Sequence, residues 1–430
     1  MWSLYELLLL LGMTLYLPTA LWRKRLPHAG WTMRLGRYPQ DVAAALPGRS
    51  AIWVQAVSVG EVLAVQPLLR ALREAVPEAP IVLSTTTPGG FAVASAQRRD
   101  RVTPVYFPLD FRGCVARALR VFRPRMILLV ESEIWPMLIR LAHAQGVPVI
   151  VVNGRMSSRA FRRYRLFRPF LKRTLNRITM CLMQSQADED RLLQLRVPRE
   201  RVRVVGSLKW DASIGRRPSP QDIRETAGRL GLGPQDIVIV AGSTHRGEEA
   251  FVLQAFAAAR TSHPEARLIL APRHLERLAE VEGLIREAGW RLVRLSQDGP
   301  TAPWDVALVE TFGQLPRYYA LATAVFIGGS LIPHGGQNPL EATSLGKPVV
   351  FGPSMHNFDA IAHQLLAHHA ARQVERGEEL SAVLQEWLTD PAQADAVGRR
   401  AQDITERFQG ATGRTLDALR PFLTRPSSRP

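Results

Sequence analysis

The most constraining feature of this chain is a rhythm of short apolar runs, most of them followed by a helical pattern. A first series covers residues 52–57, 81–85, 102–107, 126–130, 149–152, 180–183 and 202–205. Continuous apolar runs of this length fit strands buried on both faces, the signature of parallel sheets built from βαβ units. The stretch "SIGRRPSPQD" at 213–222 is polar and rich in Pro and Arg, so it reads as a linker. The rhythm then restarts at 237–241, 267–271, 291–295, 306–309, 324–327 and 348–351. The pattern predicts an α/β chain with two Rossmann-like domains facing a cleft, at 25–212 and 223–405. Ligands of such sheets bind beyond the carboxyl ends of the strands. Residues 406–430 are expected to form a final polar helix and a frayed tail.

The chain of 430 residues is long enough for two cores, and 46% hydrophobic against 22% charged residues excludes disorder. Its 55 Lys and Arg against 38 Asp and Glu leave a net charge of +17, which favours an anionic partner. Cys114 and Cys181 lie far apart without metal-ligand spacing, so neither a disulfide framework nor a zinc site is expected.

The chain starts "MWSLYELLLLLGMTLYLPTALWRKRLP". Residues 1–24 combine a largely apolar run, aromatic residues near both ends and a basic cluster directly after. That arrangement predicts a retained membrane-anchor helix with the later domains on the cytoplasmic side. Glu6 and Pro18 also suit a buried core helix. A second basic segment, "RAFRRYRLFRPFLKRTLNR" at 159–177, interleaves Arg162, Arg163 and Arg165 with aromatic residues. It fits an interfacial helix on anionic lipid headgroups; nucleic acid would also attract it, and a solvated basic face is the plain alternative.

Several strand ends carry reactive groups. "AVSVGE" places Ser58 and Glu61 at capping-box spacing, yet it also leaves a carboxylate just past a strand, where a base would stand. "LLVESEIWP" presents Glu131 and Glu133 on one face if extended. "VNGRMSSR" and "GSLKWDA" end further strands with Arg155 and Lys209. In the second half, "AGSTHRGEE" offers Ser243, Thr244 and His245 at a helix start suited to phosphate. "APRHLER" supplies Arg273 and His274, and Arg can grip phosphate bidentately. "FIGGSLIPHGGQNPLEA" brings Gly329 and Ser330 in a glycine-rich loop, then Asn338 and Glu341 at a helix start. Together these stretches predict a sugar-nucleotide site. The P-loop and dinucleotide fingerprints do not occur.

As a set, "AVSVGE", "TTTPGG", "VYFPLD", "ESEIWP", "NGRMSSR", "GSLKWD", "GSTHRGEE", "PRHLER", "FIGGSL", "GGQNPLE" and "GPSMHNF" resemble the 3-deoxy-D-manno-octulosonic acid (Kdo) transferases of lipopolysaccharide synthesis. The resemblance runs from the N-terminal segment to about residue 360. It implies a membrane-associated GT-B glycosyltransferase on the cytoplasmic side of the inner membrane. The implied donor is CMP-Kdo, without a metal or other cofactor, and the implied acceptor is a tetraacyl lipid A precursor with two phosphates. Anionic membrane lipids are expected partners and nucleic acid is not. By the same resemblance Glu61 matches the general base, and Glu131 and Lys209 match active-site positions. Arg273, Asn338 and Glu341 match the CMP-binding region, and Phe312 and Gly313 lie where the family's nucleotide base is held. Gln55, Met33, Gln337 and Gln314 depart from residues common in relatives, which leaves acceptor choice and the number of sugars open. Rival readings are a GT-B enzyme with another nucleotide sugar, and a non-enzymatic protein that binds anionic lipid.

Overall fold

The computed structural model describes residues 2–22, 30–46, 51–96, 101–131, 133–295, 303–311 and 313–423. The chain divides into two compact units: one runs to Ala212 and resumes at Gln409, and the other is Ser213–Phe408. In the first unit, β1 (Ile52–Gln55), β2 (Ile81–Thr85), β3 (Val102–Tyr106), β4 (Met126–Val130), β5 (Val149–Gly154), β6 (Met180–Met183) and β7 (Val202–Val204) form one sheet. All pairs are parallel, in the order β3-β2-β1-β4-β5-β6-β7. Both faces are covered, which is why these strands read as unbroken apolar runs rather than as alternation. Trp53, Val82, Ile127 and Leu129 pack on one face with Val115, Leu119 and Phe122 of helix Arg112–Phe122. Ile52, Val54, Leu83 and Leu128 pack on the other with Val62, Val65 and Leu69 of helix Val59–Ala75.

The second unit repeats the plan. Its strands are β8 (Val238–Thr244), β9 (Arg267–Pro272), β10 (Leu292–Leu295), β11 (Val306–Val309), β12 (Ala324–Ile327), β13 (Val349–Phe351) and β14 (Arg372–Gln373). They form a parallel sheet in the order β10-β11-β9-β8-β12-β13-β14. Both residues of β14 are exposed, so that edge strand has no apolar run to announce it. In each sheet the first strand has the earlier of the remaining strands on one side and the later ones on the other: β2 and β3 against β4–β7 around β1, and β9–β11 against β12–β14 around β8, so that β1 borders β4 and β8 borders β12. Those neighbours are the topological switch points, where the crevice for a ligand opens.

The expected C-terminal helix is present as Ala411–Leu423, and the tail beyond it lies outside the described residues. That helix returns to the first unit and buries Ala411, Ala418, Leu419 and Leu423 against Leu68, Leu72 and their neighbours. Its apolar residues recur at helical spacing, so one stripe is buried although the segment is polar on average. Asp211 accepts the N–H groups of Gly410 at 2.8 Å and Thr412 at 2.6 Å and so holds the start of that helix. One sequence expectation changes here: the linker at 213–222 is half helical, shared between Leu208–Ile214 and Pro220–Leu230, the second opened by a Ser219–Asp222 capping box.

The N-terminal segment forms a helix, Trp2–Trp22, with Leu7, Leu8, Leu10, Leu11 and Leu15 exposed. Among the described residues no helix is long and apolar enough to cross a membrane, so a spanning anchor is not what the structure presents. Glu6 dilutes the apolar run for a local reason. Its Oε1 accepts the Arg112 N–H at 2.7 Å, which satisfies a donor at the start of helix Arg112–Phe122. Beside it the Tyr5 hydroxyl donates to Asp110 at 2.8 Å.

Candidate active site

The first cluster lies at the switch point of the first sheet. Glu61 sits in the first turn of the helix that follows β1, and Ser58 caps that helix by accepting the Glu61 N–H at 3.4 Å. The carboxylate bends back, but past the capping-box position: Oε2 accepts the Val57 N–H at 2.7 Å and Oε1 the Ser58 hydroxyl at 3.1 Å. Burial pushes the Glu61 pKa up to about 8, and the negative charge of Glu131 adds to the rise while the Val57 N–H opposes it. Glu131 ends β4 with φ of 61°, a left-handed conformation that is uncommon for a non-glycine residue. Its Oε1 lies 2.8 Å from Nζ of Lys209, in the first turn of helix Leu208–Ile214, and both side chains are mostly buried. Glu133, half-buried, has its pKa raised to about 7 by burial and then by Glu131.

The second cluster lies at the corresponding place in the other sheet. Ser243, at φ 57°, forms an irregularity between β8 and β9, as Asn153 at φ 52° does between β5 and β6. Bulges of this kind re-aim side chains beside sites. Thr244 is buried and donates to Glu249 at 3.1 Å. Next to it the His245 ring is 4.0 Å from that of His334 and 5.3 Å from that of His274. Burial, then the neighbouring imidazoles and Arg273 and Arg277, depress the His245 pKa to about 4, so this ring is neutral at physiological pH. The half-buried Arg273 follows β9 and makes no ion pair among the described residues. His274 lies 3.2 Å from Glu276.

The loop after β12 runs against β8. A Cβ on Gly328 would stand 2.4 Å from the Ser243 carbonyl oxygen, so only glycine allows that approach. Gly329 and Ser330 do not offer a free phosphate cradle: the N–H groups of Gly329, Ser330 and Leu331 all donate to the buried Glu248 carboxylate. The Ser330 hydroxyl is likewise engaged, donating to the Ile327 carbonyl and accepting the Gly352 N–H. Asn338 Oδ1 accepts the Leu340 N–H at 3.1 Å, and Glu341 is ion-paired with Arg216.

Two curated proteins resemble the chain over nearly its whole length. It is 35% identical to the 3-deoxy-D-manno-octulosonic acid transferase of Bordetella pertussis, over 94% of this chain and 95% of that one. It is 30% identical to the enzyme of the same name from Haemophilus influenzae, over 89% of each. The chain belongs to the 3-deoxy-D-manno-octulosonic acid transferase family. The family description "3-Deoxy-D-manno-octulosonic-acid transferase (kdotransferase)" also matches residues 29–212. A solved glycosyltransferase from Rickettsia africae shares the fold with a TM-score of 0.60, at 11% identity, over 88% of this chain and all of that one. The two parallel-sheet α/β units are thus GT-B-like, and the chain is a glycosyltransferase.

In this Kdo transferase the site residues named from the sequence form two groups. Glu61, Glu131 and Lys209 form the group in the first unit, with Arg155 half-buried just beyond β5. Ser243 and Thr244 end β8, and His245, Arg273, His274, Gly329, Ser330, Asn338 and Glu341 follow β8, β9 and β12 in the second. Gly313 is exposed at φ 83°, and Phe312 lies outside the described residues. Arg162, Arg163 and Arg165 belong to neither group. They are exposed on helix Ser158–Leu166, whose Ala160, Phe161 and Tyr164 face the core, and Leu166 and Phe167 beside them are 80% and 60% exposed.

Sequence reasoning passed over three residues of this family member. These are Glu248, Arg216 and Arg277, which lie within "GSTHRGEE", "SIGRRPSPQD" and "APRHLER". Arg277 in fact grips the buried Glu249 with both Nη atoms, at 2.8 and 3.2 Å. Charged residues at the start of a helix behind a strand are the signal that would have found Glu248 and Glu249.

Proposed function

We propose that this chain transfers Kdo from CMP-Kdo to a lipid A precursor with inversion at the anomeric carbon, and that Glu61 is the base. The observation that carries this reading is the Glu61 carboxyl, desolvated beyond β1 and raised to about 8 beside Glu131 and its Lys209 partner. A base with a pKa near the working pH combines a useful ionised fraction with enough basicity to take a proton. Glu61 removes the proton of an acceptor hydroxyl, the oxygen attacks the anomeric carbon, and the bond to the phosphate of CMP breaks. Charge gathering on that phosphate is met by Arg273, with no metal assigned a part. Glu131 keeps Glu61 basic, and Lys209 holds Glu131 in place.

The same reading puts the protein on the cytoplasmic face of the inner membrane. The exposed leucines of helix Trp2–Trp22 and the pair Leu166 and Phe167, with Arg162, Arg163 and Arg165 beside them, support contact with an anionic bilayer. Nucleic acid is not a partner in this account. Donor identity is tested by nucleotide competition in a calorimetric titration. CMP is expected to bind and to displace CMP-Kdo, whereas UDP outcompeting CMP would overturn the assignment.

A further inference from the structure

The backbone amides of the glycine-rich loop already hold an anion, and the anion belongs to the protein. Glu248 is fully buried at the start of helix Glu248–Ser262. Its Oε2 accepts the N–H groups of Gly329 at 2.6 Å and His245 at 2.8 Å. Its Oε1 accepts those of Ser330 and Leu331, both at 2.9 Å. Each carboxylate oxygen has about two lone-pair sites, so four N–H donors fill the group and leave no place for a proton on either oxygen. Burial raises the pKa of Glu248 above the ordinary carboxylate value, and the four N–H donors pull against that rise.

Successive backbone N–H groups turned inward make an anion-binding nest, the device by which glycine-rich loops hold phosphate. We propose that Glu248 is an internal surrogate for a ligand phosphate. It fills the nest of residues 329–331 permanently, so the loop is set before any donor arrives. The donor phosphate is thereby left to Arg273 and the imidazole of His334. The same carboxylate fixes what the loop carries. The Gly329 carbonyl accepts the Gly336 N–H at 2.7 Å and the Gly328 carbonyl the Gln337 N–H at 3.0 Å. The Gln337 side chain in turn meets His245 Nε2 at 3.1 Å. Glu248 is therefore a positioning residue for the donor site, and its effect on nucleotide binding rests on the CMP-Kdo reading.

The test is chemical rescue. Glu248→Ala empties the nest and leaves four N–H groups without an acceptor. That variant is expected to bind CMP roughly tenfold more weakly or worse, since charge-assisted hydrogen bonds are among the strong ones. Formate should restore much of that affinity and raise the Tm of the variant without nucleotide, while leaving the Tm of the wild type unchanged. Wild-type affinity without formate, or a variant indifferent to formate, would overturn the proposal. If the alanine variant does not fold, Glu248→Gln decides. It fills the same space but turns an NH2 against N–H donors, so it should lose CMP affinity with no rescue by formate, and wild-type affinity would sink the idea. If wild-type protein fails to bind CMP while the formate-dependent Tm rise persists, the donor reading fails and the internal anion stands.

Discussion

At Glu61 a single side chain is asked to serve both folding and chemistry. Its carboxylate holds the Val57 N–H and the Ser58 hydroxyl, yet burial and Glu131 keep its pKa near 8. A base acts in its ionised form, so kcat/KM is expected to rise with pH through about 8. Glu131→Gln removes a nearby negative charge and should shift that limb to lower pH, a movement read directly from the pH–rate profile. Stability follows the opposite course. The folded pKa lies above the ordinary carboxylate value, so the folded state keeps the proton longer than the unfolded state. Stability from this group is present in acid and is lost as pH rises through about 8. Glu61→Gln should therefore be more stable than wild type above that pH while it loses activity, as urea unfolding at several pH values will show. The capping spacing was legible in the sequence. Spacing could not tell that the carboxylate reaches the Val57 N–H, one residue before the N–H that a capping box would use.

Among the elements, helix Ala411–Leu423 was expected from the sequence, but its packing on the first unit was not. Its mean character is polar, but Leu419 is fully buried with Ala411 under the first sheet. Leu419→Ala should cost about 2–5 kcal/mol, the range for a large-to-small change in a packed core, measured by denaturant unfolding. The strands were legible because parallel strands buried on both faces must be apolar throughout. The irregularities at Asn153 and Ser243 were not, because a left-handed residue at a strand end has no composition of its own. Nor was the loop anchor at Glu248: it depends on a contact between segments far apart in sequence, which no local pattern records. Helix Ser158–Leu166 makes a prediction at the same scale. Replacing Leu166 and Phe167 with Glu should weaken binding to vesicles containing anionic lipid, and added salt should weaken wild-type binding, as a flotation assay can read.

For the whole molecule, two sheets of the same plan each carry reactive groups near their own switch point, and the two series of strands were readable from the order of apolar runs. The first unit contributes Glu61, Glu131 and Lys209, and the second contributes Arg273, the imidazole cluster and the loop held by Glu248. The direct measurement is mass spectrometry of the lipid after incubation of the purified protein with CMP-Kdo and a tetraacyl lipid A precursor. The account predicts lipid heavier by whole Kdo residues with wild-type protein and, with Glu61→Ala, a rate lower by about two orders of magnitude or more. Unmodified lipid with wild-type protein, or transfer by the Glu61 variant at the wild-type rate, would contradict it.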